Sequence, residues 1–377
     1  MTVRMLLRKV KLENLLSFRN TEVELRGLNV LIGANASGKS NLIEAIGLLQ
    51  AAPVDLNTAI LRLGGVHVVC SLAISAPVAG VQCDGLNGED FGYRLEFAEQ
   101  ASGLSILSER LAAIPPAPPM NYFTRTAGRV EFARESRGEV SPTESIFRVY
   151  KNPSDPTPIT RLGRALESIR IYREFRTTGD SQARLGTSTS TRKEFLHDGG
   201  GNLALVLDEM DFRDLHVHVR RYLQRFCERF SDVKMRLDGA IARTYIVETG
   251  LLEPLVSWRL SDGTLKFLCL LAVLLEPNPA PLICIEEPEV GLHPEAIQIV
   301  ADALVEASER TQLVVTTHSE ALIDALSYRP EDVLVTERDF DNSTQFRRLK
   351  KEELALWLKR YSLGELWRKG EIGGNRW

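Results

Sequence analysis

Hydrophobic and polar positions along the chain fall into three regimes. Near the start, "RMLLRKVKLEN" and "TEVELRGLNVLIG" carry the alternation of strands and are separated by the polar turn "LSFRN". Lys39–Gln50 then places Leu42, Ile43, Ile46 and Leu49 on one helical face. From Val66 to Lys151, strand-like runs ("VHVVCSLAIS", "YRLEFAEQ", "RVEFARE", "IFRVYKN") are divided by Gly- and Pro-rich turns, including Ala113–Pro119, which predicts an antiparallel sheet. "RIYREFR" opens as a strand and runs into a polar loop over Thr177–Arg192. "NLALVLDEM" and "FRDLHVHVRRYLQRFCERF" have helical periodicity, and strands return at "ARTYIVET" and "LVSWRL". The final regime alternates helix and strand: "GTLKFLCLLAVLL", "PLICIEE", "PEAIQIVADALVEAS", "TQLVVTTHS", "SEALIDAL", "DVLVTER". That alternation predicts βα units on a mostly parallel sheet. Pro and Gly punctuation between residues 50 and 260 leaves no room for a long coiled-coil arm.

Composition narrows the class. The chain has 377 residues, 44% hydrophobic and 25% charged, ordinary for a globular protein, and a net charge of −4 that advertises no nucleic acid globally. Its five cysteines are scattered and form no CxxC pair, which disfavours zinc or a disulfide framework. No apolar run is long enough for a bilayer span or a signal peptide, so a cytoplasmic protein with no membrane partner is expected.

The chemistry begins at "GANASGKS", Gly33–Ser40, which fits GxxxxGK[ST] between an apolar strand and an amphipathic helix. Backbone amides of Gly33, Ala34, Asn35, Ala36, Ser37, Gly38, Lys39 and Ser40, with Asn41 behind them, would wrap a triphosphate at a helix N-terminus. Lys39 would reach the β- and γ-phosphates, and Ser40 would ligate Mg²⁺. A nucleoside triphosphate is the expected ligand. "PLICIEEPEVGLHP" supplies the complementary acids at the end of a buried strand. Successive strand residues face opposite ways, so Glu286 and Glu287 should have separate tasks. Glu286 suits the Mg²⁺ hydration shell, and Glu287 can polarise the attacking water. The competing reading is a carboxylate pair bonded to backbone or arginines; a P-loop in the same chain tips the balance toward the metal and the water.

"LSDGT", Leu260–Thr264, opens an apolar helix, and its Ser261 and Gly263 offer a second anion site. "VVTTHSEAL" puts His318 just after a strand, where an imidazole could meet a γ-phosphate. Each alone is an ordinary helix cap or strand-end histidine; the order and spacing of all four pieces make them specific.

With these pieces in place the chain resembles the ABC-type ATPase superfamily on its SMC, RecF and OLD-like branch. "LENLLSFRNTEVELRGLNVLIGANASGKSNLIEAIGLL", "EEPEVGLHP" and "TTHS" carry the likeness. "IRIYREFR", "DGGGNLALVLDEM", "LSDGTLKFLCLLAVLLEP" and "LGELWRKGEIGGNRW" are similar to bacterial RecF-like predicted ATPases, which are heads without coiled coils. The likeness spans nearly the whole chain and is weakest over 55–150.

It implies an α/β P-loop fold of the ABC head type: a mostly parallel core sheet, an antiparallel β subdomain and a helical subdomain. The expected divisions are 1–165, 166–255, 256–340 and a tail at 341–377. The resemblance further implies ATP hydrolysis with Mg²⁺ by a homodimer that forms on ATP binding, with Ser261 and Gly263 acting on the partner's γ-phosphate. Glu286 would hold Mg²⁺ through water, Glu287 would be the base, His318 the γ-phosphate sensor, and Gly291–Pro294 a cross-dimer loop. SDGT replaces the SGGQ of transporters, which points away from a transport motor. No clear Q-loop glutamine stands out; Gln182, Arg173, Arg176 and Arg184 are the candidates near it.

Two basic stretches bear on partners. Arg220, Arg221, Arg225, Arg229, Lys234 and Arg236 form one; Arg347, Arg348, Lys350, Lys351, Lys359 and Arg360 form the other. Either could track duplex DNA, though such runs are more often solvated helix faces. His216 and His218 are off any same-face spacing, so no metal is expected there. Trp357, Tyr361, Trp367 and Trp377 read as anchors of the tail. The leading expectation is an ATP-gated, DNA-associated ATPase in repair or genome maintenance. The alternative is an OLD-like defence or signalling ATPase whose dimer controls a separate effector protein.

Overall fold

The computed structural model describes residues 5–70, 79–84, 91–100, 103–115, 120–133, 136–150, 154, 157–212 and 216–373. The expected strand positions at 71–75, the Pro-rich turn at 116–119 and the tail residue Trp377 lie outside them.

At the centre is a six-stranded sheet in the order Arg170–Tyr172, Leu282–Glu286, Gln312–Thr316, Leu28–Ile32, Val333–Arg338, Thr344–Arg348. All pairings are parallel except the last. The strand that enters the P-loop, Leu28–Ile32, therefore sits between two strands from the final third of the chain. Alternation within each strand divides the core in two. Val30, Ile283, Ile285, Leu313 and Val315 join one cluster with the helices Asp262–Leu274 and Pro294–Ala307. Leu31, Leu282, Cys284, Val314 and Leu334 join the other with the helix Lys39–Ala51. A strand buried on both faces has no polar alternation, which is why these runs read as continuously apolar.

The second cluster continues under an eight-stranded antiparallel sheet that runs from the N-terminal hairpin (Lys9–Leu15, Phe18–Glu24) to Ser136–Glu139. Inside it, Glu109 and Arg125 are both fully buried. Glu109 accepts from Tyr93, Ser145 and the Ile146 amide, while Arg125 donates to the Ser141 and Glu144 carbonyls. Burial pushes the Glu109 carboxyl up, and these donors pull it back.

The helical subdomain is itself mixed. Helices Leu203–Phe212 and His216–Phe226 pack on a small sheet formed by Thr187–Ser188, Phe230–Asp238, Ile241–Glu248 and Leu255–Val256. The sequence pattern hides Phe230–Asp238 as a strand, because "FSDVKMRLD" has few apolar residues and none beyond Val233 is fully buried.

Two expected strands are helical turns. Gly64 and Gly65, both left-handed (φ 100° and 95°), turn the chain into Val66–Val69. There Val66 and Val69 are buried while His67 and Val68 are exposed, a spacing of three instead of two. Ser145 caps Ile146–Val149 by accepting from the Phe147 amide, and adjacent Ile146 and Phe147 are both buried, which a strand cannot do on one face. The polar stretch Thr177–Arg192 also contains order: a helical turn at Gln182–Leu185 and a short strand at Thr187–Ser188.

Candidate nucleotide site

The loop Gly33–Ser40 joins the buried strand to a helix whose N-cap is Gly38, with φ 107° and no side-chain cap. The first turn of that helix carries no acid, so its amides and dipole are left for an anion. Glycine is required at the cap: a Cβ at Gly38 would lie 2.1 Å from Thr344 Oγ1 and 2.8 Å from Ser17 Oγ. Ser37 Oγ is buried and unpartnered among the described residues, a polar atom of the loop still open to a donor or acceptor.

That loop is braced from far along the chain. Thr344 Oγ1 donates to the Ser37 carbonyl at 2.8 Å, which uses its only proton. The 2.7 Å contact between Ser17 Oγ and Thr344 Oγ1 must then run from serine to threonine. Ser17 in turn accepts from Asn41 Nδ2 at 2.7 Å. The result is a one-way relay, Asn41 to Ser17 to Thr344 to the loop. On the outer side, Arg338 donates to the Ala36 and Asn342 carbonyls.

Lys39 is 6% exposed and donates to the Gly33 and Ala34 carbonyls at 2.8 and 2.9 Å. Burial lowers its pKa from 10.5 to about 8, opposed by the charge of Glu287. Ser40 Oγ donates to Glu286 Oε2 at 2.9 Å, joining the loop to the acidic strand. Glu286 Oε1 lies 3.2 Å from Arg173 Nε, and the same guanidinium reaches Glu44 at 2.8 Å. Burial pushes the Glu286 carboxyl up; the Ser40 hydrogen bond and Arg173 pull it down. A hydroxyl beside a carboxylate is a hard oxygen pair of the kind Mg²⁺ takes, and the glycine-lined loop fits a triphosphate, so the residues present suit both groups.

Glu287 faces another way. Its backbone is left-handed (φ 44°), a conformation that costs a non-glycine residue about 1–2 kcal/mol, and its amide donates to the Thr316 carbonyl at 3.0 Å. Glu287 Oε1 lies 3.8 Å from His318 Nε2. Burial, then the Lys39 charge, lowers the His318 pKa below its ordinary 6.5, which keeps the ring neutral near pH 7. The two adjacent glutamates thus have separate partners.

Three features were not legible beforehand. Glu289 Oε1 accepts from the Thr317 hydroxyl at 2.6 Å and the His318 amide at 3.0 Å, fixing the segment that carries the histidine. The third acid of "EEPE" was the only hint of it. Lys266, on the helix Asp262–Leu274, donates to the Glu287 and Val290 carbonyls at 3.4 and 2.5 Å. Arg184 holds the start of that helix through the Leu260 carbonyl and Asp262.

Ser261 is exposed and already caps its own helix, accepting from the Thr264 amide at 3.1 Å. Gly263 approaches the Gly291 carbonyl closely, since a Cβ there would sit 3.0 Å away. Gly291, His293 and Pro294 are exposed beside them. Among the Q-loop candidates, Gln182 points toward Gly201 and Arg184 toward the signature, leaving Arg173 as the one in contact with Glu286.

The arginines of the first basic stretch are engaged in ion pairs: Arg220, Arg221 and Arg225 on the helix with Asp232, Glu306 and Asp302, and Arg229 beyond it with Glu248. In the tail, Tyr361 and Trp367 pack on the core, whereas Trp357 is 45% exposed.

Residues 28–324, well over half of the chain, match the family described as "AAA domain, putative AbiEii toxin, Type IV TA system". The chain is 37% identical over 126 residues to the DNA replication and repair protein RecF of Magnetococcus marinus, covering 27% of this chain and 28% of that one. It is 50% identical over 44 residues to the DNA double-strand break repair Rad50 ATPase of Methanopyrus kandleri, covering 11% and 5%. The match therefore spans less than a third of either relative's length. Among solved structures, an Smc head bound to the C-winged helix domain of ScpA aligns with TM-score 0.51 and 12% identity over 93% of this chain and 99% of that one. A second Smc head with an extended coiled coil, bound to the C-terminal domain of ScpA derived from Pyrococcus furiosus, aligns at 0.50 and 13% over 94% and 98%. At such identities these two show the fold.

Proposed function

The chain belongs to the family described as "AAA domain, putative AbiEii toxin, Type IV TA system" and has the head fold of an ABC-type, SMC/RecF-like ATPase; from that premise we propose that it hydrolyses ATP as an ATP-gated homodimer acting on duplex DNA in repair or genome maintenance. The observation that carries the reading is the division of labour at the acidic strand: Glu286 on Ser40, Glu287 facing His318.

In this reading the loop amides and the helix N-terminus hold the triphosphate. Lys39 leaves the Gly33 and Ala34 carbonyls for the β- and γ-phosphate oxygens. Ser40 would hold Mg²⁺ directly and Glu286 through water, and the ion would supply charge neutralisation at those oxygens. Glu287 takes a proton from the water that attacks the γ-phosphorus, and its left-handed backbone fixes the carboxylate's direction. Neutral His318 donates one hydrogen bond to the γ-phosphate without adding charge. Exposed Ser261 and Gly263 meet the nucleotide of a second copy, so that ATP joins the dimer and hydrolysis releases it.

The RecF and Rad50 relatives, by name repair proteins, support DNA as the partner. The ion-paired arginines of His216–Phe226 are poorly placed to track phosphates, which leaves the exposed tail residues Lys351, Lys359 and Arg360 as the better candidates. Duplex DNA binding by Glu287→Gln, with and without Mg-ATP, at low and physiological salt, tests the proposal. Binding that appears only with ATP and survives physiological salt is expected; a clear ATP dimer without it would overturn the DNA partner.

The family description, with its "putative AbiEii toxin, Type IV TA system", lends support to a second reading as a defence or signalling ATPase of the OLD-like kind, whose ATP-driven dimer would control a separate effector protein. Co-purification of a defined partner released by ATP turnover would support it.

A further inference from the structure

Arg173 lies on the chain just beyond the edge strand Arg170–Tyr172, and that strand pairs directly with the acidic strand. Its guanidinium bridges two carboxylates: Nε to Glu286 at 3.2 Å and Nη2 to Glu44 at 2.8 Å. Glu44 is one turn along the P-loop helix from Ser40, on the same face. Ser40 occupies the other oxygen of Glu286. Both oxygens of the carboxylate assigned to magnesium are thus engaged by donors of this chain, one of them a permanent cation.

We propose that Arg173 and a magnesium ion are antagonists at Glu286, so that Arg173 sets the magnesium concentration at which nucleotide is held tightly. The inference rests on the reading of Ser40 and Glu286 as the magnesium residues. A cation arriving beside Glu286 meets the guanidinium's like charge at the same carboxylate. Glu44 gives the arginine a second anchor to which it can withdraw. The side chain is 46% exposed and, with Glu44, lines a groove of about 620 Å³, so it has room to swing. While Arg173 stays on Glu286, it screens that carboxylate from the triphosphate; once it leaves, the divalent ion takes over that screening. Nucleotide binding without metal and with metal then depend on Arg173 in opposite senses.

The test uses the full chain and a fluorescent ATP analogue, titrated in EDTA and across a magnesium series. Arg173→Ala is expected to lower the half-saturating magnesium concentration about three- to fivefold, the size of a half-exposed ion pair, and to weaken binding in EDTA. Arg173→Lys keeps the like charge beside Glu286 and should stay far closer to the wild-type midpoint than the alanine variant does. Glu44→Gln leaves the guanidinium to Glu286 alone and should move the magnesium midpoint the other way. An unchanged midpoint in Arg173→Ala, or Arg173→Lys shifted as far as the alanine variant, would overturn the proposal. A wild type that binds no nucleotide at any magnesium concentration would instead remove the ATPase reading beneath it. Arg173 is exposed and Glu44 partly buried at the groove wall, so Arg173→Ala and Glu44→Gln should fold, and their opposite signs separate competition from general loosening.

Discussion

Thr344→Val tests how firmly the phosphate cradle is held from outside. Valine matches threonine in shape, and position 344 is fully buried, so packing is preserved and only the hydroxyl is lost. Two hydrogen bonds go with it, to the Ser37 carbonyl and from Ser17 Oγ. Each is worth about 1 kcal/mol net. The losses deprive the buried Ser37 carbonyl of this donor and the Ser17 hydroxyl proton of its acceptor, for which about 1–3 kcal/mol is the usual penalty per group. Asn41 keeps its bond to Ser17, and some relaxation is available, so a total of about 2–4 kcal/mol is expected. Urea unfolding of the nucleotide-free protein should read this as a lower midpoint at unchanged slope. Because Ser37 belongs to the loop itself, nucleotide affinity should fall as well, by about tenfold for every 1.4 kcal/mol that localises there. Thr344→Ser restores the hydroxyl and should recover most of both. A valine variant as stable as wild type, or a serine variant no better than valine, would refute the relay.

Two further outcomes follow from the site. Lys39 titrates at about 8 when folded and at 10.5 when unfolded, so between those values the unfolded chain holds a proton that the folded chain has lost. Stability should therefore rise from pH 8 to 10.5 relative to Lys39→Met, and parallel pH curves would show that the amine is not held in its buried position. Ser261→Arg should bind ATP as a monomer yet fail to pair, read by light scattering; ATP-dependent dimers of the variant would remove the signature from the interface.

The parts of the site that lie close in sequence were legible. A phosphate loop is a local device, with glycines, lysine and serine within eight residues between a strand and a helix, and its acids follow directly on an apolar run. The parallel strands were legible for a different reason: burial on both faces leaves an uninterrupted apolar signature. What escaped were contacts between distant polar residues, such as Ser17 with Thr344 or Arg173 with Glu44, since a serine in a turn or an arginine after a strand has no periodic pattern to betray its partner. Val66–Val69 and Ile146–Val149 were misread because β-branched residues carry strand propensity, while the turn at Gly64–Gly65 and the Ser145 cap decided otherwise over a single turn. The acidic partners of the basic helix, up to 85 residues away, escaped as the other distant polar contacts did.

The position of Leu28–Ile32 in the middle of the parallel sheet has a consequence for biosynthesis. Both of its neighbours, Gln312–Thr316 and Val333–Arg338, are made some 280–300 residues later. At ribosomal speeds of about 5–20 residues per second, that strand waits on the order of 15–60 s for either partner. Four of its five residues are apolar and it is open on both edges during that interval, the condition under which strands pair with the wrong chain. The antiparallel hairpin on either side of residue 16 needs no such wait and can form at once. Nascent chains stalled before residue 312 should therefore be the aggregation-prone species and the ones that engage chaperones, whereas the completed chain hides the strand between its two late neighbours.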